Sequence, residues 1–173
     1  MLNKMMNIIN TMMNMEENES LEFNREEVNE LGFIVRKNPS ILKEYGISVC
    51  GIKIIEDENG KDVALILFED MFNELSMNVR LFSMLHELGH FRWQKNRMKN
   101  YFNGRDIELE FEADEEAMET LGYEKSIEAL NEDIEFIKSK NGSQYAIDEL
   151  NTRINNLMDV HLRNLRRQLM SMM

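Results

Sequence analysis

The sequence predicts an α+β domain, mostly helical, with a small antiparallel sheet packed on one helix and further helices towards the C-terminus. Three observations lead there. One proline and eight glycines in 173 residues favour long helices. Apolar residues recur at spacings of three and four over most of the chain from Leu81 onward. Between residues 47 and 68 that period gives way to β-branched runs around an Asn-Gly turn. A single domain with a core of useful size is expected at this length.

The elements follow in order. Residues 1–20 read as a mobile Met/Asn-rich leader; if helical, Met5, Met6, Ile8, Ile9, Met12 and Met13 would share one apolar face. Residues 24–45 read as helical, with Asn24 as N-cap, Glu26 and Glu27 in the first turn, and Val28, Leu31, Ile34 and Val35 as the buried stripe. Asn38-Pro39-Ser40 interrupts it, and Ile41 to Tyr45 forms a short second piece. Ile52, Ile54 and Ile55 and then Val63 to Phe68 predict an antiparallel pair around the turn at 57–62, with 47–50 as the place for a third short strand.

Glu69 to Leu75 is a helical-looking connector, and Ser76 can cap the helix carrying Met77, Leu81, Met84, Leu85 and Leu88. The basic stretch Arg92, Lys95, Arg97 and Lys99 suits a helix C-terminus. Further helices are expected from Asp106 to Leu121, stopped by Gly122, and from Ser126 to Asn141-Gly142. A long one follows from Ser143, striped by Leu150, Ile154, Leu157, Leu165, Leu169 and Met172. This last helix is expected either to fold on the body or to self-associate as a coiled coil. The division that results is a leader over 1–20, a core over 21–125 and a helical extension over 126–173.

Composition narrows the function. A formal net charge of −12 counts against strong nucleic-acid binding, because phosphate contacts need Lys and Arg. Cys50 is the only cysteine, so no intramolecular disulfide can form, which fits a reducing compartment. No apolar run approaches the roughly 20 residues of a membrane span, and the N-terminus lacks the features of a signal peptide. The expectation is a cytoplasmic protein with no membrane insertion.

The chemistry concentrates in His86-Glu87-Leu88-Gly89-His90, which holds two of the three histidines. On a helix, i and i+4 lie on one face, so two imidazoles can bind one zinc with Glu87 beside them as a base. A catalytic zinc needs a third protein ligand and an open position. The carboxylates of the 106–121 helix are the candidates. Glu110 and Asp114 share a face there, and Ala113 and Ala117 beside them are small. Gly89 has the same use on the first helix, so the two helices look built for contact. Glu110 can then be the third ligand, and Asp114, one turn on, can accept a ring N–H from a ligand histidine. Glu112 faces away from Glu110, and with Glu108, Glu115, Glu116 and Glu119 it reads as a solvated acidic face.

His86-Glu87-Leu88-Gly89-His90 followed by Glu110-Phe111-Glu112-Ala113-Asp114 and Ala117 resembles the gluzincin pattern of metallopeptidases, H-E-x-x-H with a downstream E-x-E-A-D/N-x-x-A. Two families carry it: the membrane HtpX and CAAX prenyl proteases, and the soluble ImmA/IrrE proteins. Leu121-Gly122-Tyr123 is similar to the first. The short interval from His90 to Glu110, and the lack of spans, resemble the second. The resemblance covers roughly residues 50–130. It implies a zincin-like minimal metalloprotease core that binds Zn2+ through His86, His90 and Glu110. The activity it implies is hydrolysis of a peptide bond in a protein or peptide substrate, with Glu87 activating a water at the metal. Such a substrate would lie along an edge strand of the 47–68 sheet. Tyr123, Tyr101 and His161 are candidate oxyanion donors, with nothing to single one out; His161, in the gap of a helical stripe, better suits a structural or solvent-facing place. The alternative is a regulatory or protein-binding module that keeps the zinc site without robust turnover.

Overall fold

The computed structural model describes residues 2–17, 19–23, 33–37, 49–98 and 107–172, with the main chain alone at 23 and over 93–98. Among the described residues the chain is α+β, with five helices and a four-stranded sheet.

Helix α1 (Leu2–Met12) replaces the expected leader. Met5, Ile8, Ile9 and Met12 are buried in the main core, as is Met15 just beyond, while Met6 and Met13 stay exposed. The asparagines that break up the apolar runs are themselves periodic. Asn3, Asn7, Asn10 and Asn14 recur at spacings of four, three and four, and all are exposed, so they are the water-facing side of an amphipathic helix. Each large side chain taken from water contributes about 1.5–3 kcal/mol, enough to hold the segment down.

The sheet has the order β1-β2-β4-β3, built from β1 (Ser20–Phe23), β2 (Phe33–Lys37), β3 (Cys50–Glu56) and β4 (Asp62–Phe68). The antiparallel pair β3–β4 is as expected, with Ile54 opposite Ala64 and Ile52 opposite Ile66. The turn is longer than a two-residue hairpin. Asp57 Oδ1 accepts from the amides of Asn59 and Lys61 at 2.8 and 2.9 Å, and Gly60 takes φ 73°, a left-handed conformation that suits glycine.

Two expectations change. The sheet is mixed rather than antiparallel, because β2 runs parallel to β4 while β1 pairs antiparallel with β2. Residues 33–37, expected in a helix, form a strand, in which Phe33 and Val35 are buried and Ile34, Arg36 and Lys37 are less so. Five residues contain too little sequence to separate a period of two from one of 3.6, and the strand register settled it. The rest of the expected helix at 24–45, the short strand at 47–50 apart from Val49 and Cys50, and Tyr101 lie outside the described residues. The continuous apolar run of β4 has a direct cause: as an inner strand it buries Ala64 to Phe68 on both faces.

A short 3₁₀ helix (Asp70–Glu74) leads into α2 (Met77–Met98), capped as expected, with the Val79 amide donating to Ser76 Oγ at 3.2 Å. Then come α3 (Ile107–Leu121), α4 (Tyr123–Ser139) and α5 (Gln144–Ser171). Gly122, at φ 93°, joins α3 directly to α4, three residues earlier than Ser126 suggests. Ser143 caps α5 by accepting from the Ala146 amide. One apolar cluster runs from α1 through β2, β4 and α2 to Leu130, Ile147, Leu150, Ile154, Leu157 and Val160. Residues 126–160 therefore share the core rather than extending from it. Beyond Val160 the stripe is uncovered: Leu162, Leu165 and Leu169 are exposed. Among the described residues no helix is long and apolar enough to cross a membrane.

Candidate metal centre

Leu81, Met84, Leu85, Leu88 and Phe91 bury one side of α2, and β3 packs against the same helix. That anchors the turn carrying His86, Glu87 and His90. Helix α3 crosses close by. A Cβ placed on Gly89 would meet Ala113 Cα, Ala113 O and Glu116 Cβ, each at 3.2 Å. The contact anticipated between Gly89 and Ala113 is thus a main-chain approach. An ion pair between Arg92 and Glu116 ties the helices one turn further along.

This approach brings three ligand-type groups to one point. His86 Nε2 and His90 Nε2 lie 3.0 Å apart. Glu110 Oε2 is 3.2 Å from His86 Nε2, and Glu110 Oε1 is 3.7 Å from His90 Nε2. A tetrahedral ion holding N and O ligands at about 2.0–2.1 Å spaces them about 3.4 Å apart. The three observed separations bracket that value, and two ring nitrogens that face each other need a shared cation or proton between them. His86, His90 and Glu110 therefore fit a divalent ion, with nothing in the distances that selects zinc over another metal.

Asp114 lies where expected. Its wholly buried carboxylate has Oδ1 2.8 Å from His86 Nδ1, so it takes that N–H and leaves Nε2 turned to His90 and Glu110. Glu112 is exposed, on the other side of α3. Tyr123 and His161, two of the three candidate oxyanion donors, stack on each other with ring centroids 3.9 Å apart and do not line the cleft at the cluster.

Sequence reasoning missed Arg153. From α5 its Nε and Nη2 donate to Asp114 Oδ2 and Oδ1 at 2.7 and 2.6 Å, and its Nη1 is 3.6 Å from Glu110 Oε2. Nη2 also passes 3.2 Å from His86 Nδ1, both nitrogens being drawn to the same Asp114 oxygen. A signal was there: Arg153 is three residues after Leu150 and four before Leu157, on the buried stripe of its helix. A charge on that side requires a buried partner.

The electrostatics follow from these contacts. Burial and the Arg153 charge oppose protonation of His86, but hydrogen bonds to Asp114 and Glu110 outweigh both and hold its pKa at about 9. Burial favours neutral carboxyls at Glu110 and Asp114. For Glu110 the contact with His86, helped by Arg153, wins; for Asp114 it is Arg153 first. Both stay below the usual carboxylate range. Burial likewise disfavours charge on Arg153, and Asp114 and Glu110 more than restore it.

The cluster opens on a cleft of about 600 Å³. Glu87, half-buried, lines it beside His86, His90 and Glu110. One wall is β3, an edge strand of the sheet among the described residues, through Cys50, Gly51 and Ile52; others are Leu130 and Phe136 of α4 and Leu150 of α5. Burial pushes the Cys50 thiol well up, and the Glu87 charge adds to it, which leaves the thiol un-ionised and a poor nucleophile. Comparison of the chain with protein-family models, curated proteins and solved structures returns no significant match.

Proposed function

We propose that this protein is a zinc-dependent peptidase of the H-E-x-x-H type acting on a protein or peptide substrate. The observation that carries the proposal is the shared cleft: His86, His90, Glu110, Glu87 and the β3 residues Cys50, Gly51 and Ile52 all line it. Bound at His86, His90 and Glu110, zinc would supply a Lewis acid that acidifies water and polarises a carbonyl. Glu87 is then the proton carrier. Its carboxylate takes a proton from the attacking water and passes it to the amide nitrogen as the C–N bond breaks. Asp114 holds His86 in the tautomer that presents Nε2. An extended substrate would lie along β3 at Cys50, Gly51 and Ile52, which line the cleft, with apolar side chains received by Leu130, Phe136 and Leu150. The gluzincin resemblance supports the same reading, and the lone cysteine suits a cytoplasmic setting.

A second reading, a protein-binding or regulatory module with a metal site, draws on the exposed Leu162, Leu165 and Leu169 of α5. The two are separated by metal analysis and proteolysis together. Wild type and Glu87→Gln should both carry one zinc per chain, and His86→Ala should lose it. Cleavage of a partner or peptide library by wild type that disappears in Glu87→Gln supports the peptidase. Equal cleavage by the two would sink the role of Glu87.

A further inference from the structure

The metal reading accounts for α2 and α3 but not for the charged residue that α5 drives into the same place. We infer that Arg153 is a positioning residue of this centre, so that docking of α5 and binding of the metal are one coupled event. The inference rests on reading His86, His90 and Glu110 as ligands.

Asp114 is wholly buried, and its two oxygens are held by one guanidinium, Oδ2 by Nε and Oδ1 by Nη2. A planar fork on a carboxylate fixes the plane of that carboxylate, which a single donor cannot do. With the plane fixed, Oδ1 faces His86 Nδ1, and the ring is turned so that Nε2 faces His90 and Glu110. Nη1 stands near Glu110 Oε2, so one cation offsets the buried Asp114 and the part-buried Glu110. Removing it would leave Asp114 with His86 as its remaining ionic partner, in a setting where an uncompensated carboxylate is strongly disfavoured. Arg153 is in turn placed by the buried Leu150, Ile154 and Leu157 of its own helix. Coupling between sites is reciprocal. If α5 orders the ligands, a metal on the ligands orders α5.

The test uses the full chain as wild type, Arg153→Lys and Arg153→Met. Zinc affinity is measured by chelator competition, and backbone hydrogen exchange is followed with and without zinc. Wild type should show zinc-dependent slowing in α5 over residues 147–160 as well as in α2 and α3. Arg153→Met should bind zinc about 10-fold more weakly and lose the slowing in α5 while keeping it in α2 and α3. Arg153→Lys, with charge but no fork, should fall between. Wild-type affinity in Arg153→Met, or exchange in wild-type α5 that ignores bound zinc, overturns the inference and leaves the ligand assignment standing. A wild-type chain that binds no zinc overturns both. Should Arg153→Met fail to fold, wild-type exchange and Arg153→Lys decide the matter.

Discussion

Gly89→Ala sets two effects of opposite sign against each other. Alanine in a helix interior is favoured over glycine by about 1 kcal/mol. The new methyl, however, would stand 3.2 Å from Ala113 Cα, Ala113 O and Glu116 Cβ. Comfortable carbon contacts begin at about 3.5–4.0 Å, so α3 must retreat by about 0.4 Å. None of the three atoms is the far end of a flexible side chain that could rotate away. Overpacking of this kind costs about 1–3 kcal/mol. The expected net change is a loss of about 1 kcal/mol in metal-free stability, read by denaturant titration. Metal binding should suffer more visibly. Glu110 is less than one turn before Ala113 on α3 and moves with it, away from His86 and His90. We expect zinc affinity to fall about 10-fold, the scale on which a displaced supporting contact acts. Gly89→Val should be worse on both counts. A Gly89→Ala protein that gains stability and binds zinc as before would refute the close approach of the two helices as the device that closes the site.

Three further outcomes are expected. His86 is raised from 6.5 to about 9, so in the metal-free protein its contribution is complete below pH 6.5 and is lost as pH rises through 9. At about 1.4 kcal/mol per unit this is about 3 kcal/mol; zinc loading, which needs the neutral ring, should release a proton at pH 7 and tighten over the same window, and calorimetry in buffers of different ionisation heat that finds no proton release would contradict it. Glu110→Gln should weaken zinc binding far more than Glu112→Gln, since Glu110 reaches both imidazoles and Glu112 is exposed; the reverse order in chelator competition would show that the wrong carboxylate was chosen. Ile9→Ala should cost about 2–5 kcal/mol in thermal or denaturant unfolding, because Ile9 is completely buried; an unchanged midpoint would mean that α1 does not belong to the core.

Much of the centre is legible in the sequence because it is local. His86 and His90 meet through helix geometry alone, and so do Glu110 and Asp114; small residues at 89 and 113 announce that the two helices touch. The β3–β4 hairpin is legible for the same reason, since its partners are joined by one short turn. Reading failed where a residue's partner is far along the chain. Residues 33–37 form a strand because β4 lies beside them, some thirty positions later. The N-terminal asparagines look like interruptions until a core exists to give their helix an inside and an outside.

The sequence by itself determined the residue types of the candidate site, their spacing and the helix that carries each. Only the tertiary structure decided that the sheet is mixed, that α1 fills the core, and that Arg153 reaches Asp114 across 39 positions of chain. The physical reason is one of range. Periodicity records which side of an element is buried, and says nothing of what is buried against it, so a charge placed inward names the need for a partner without naming the partner.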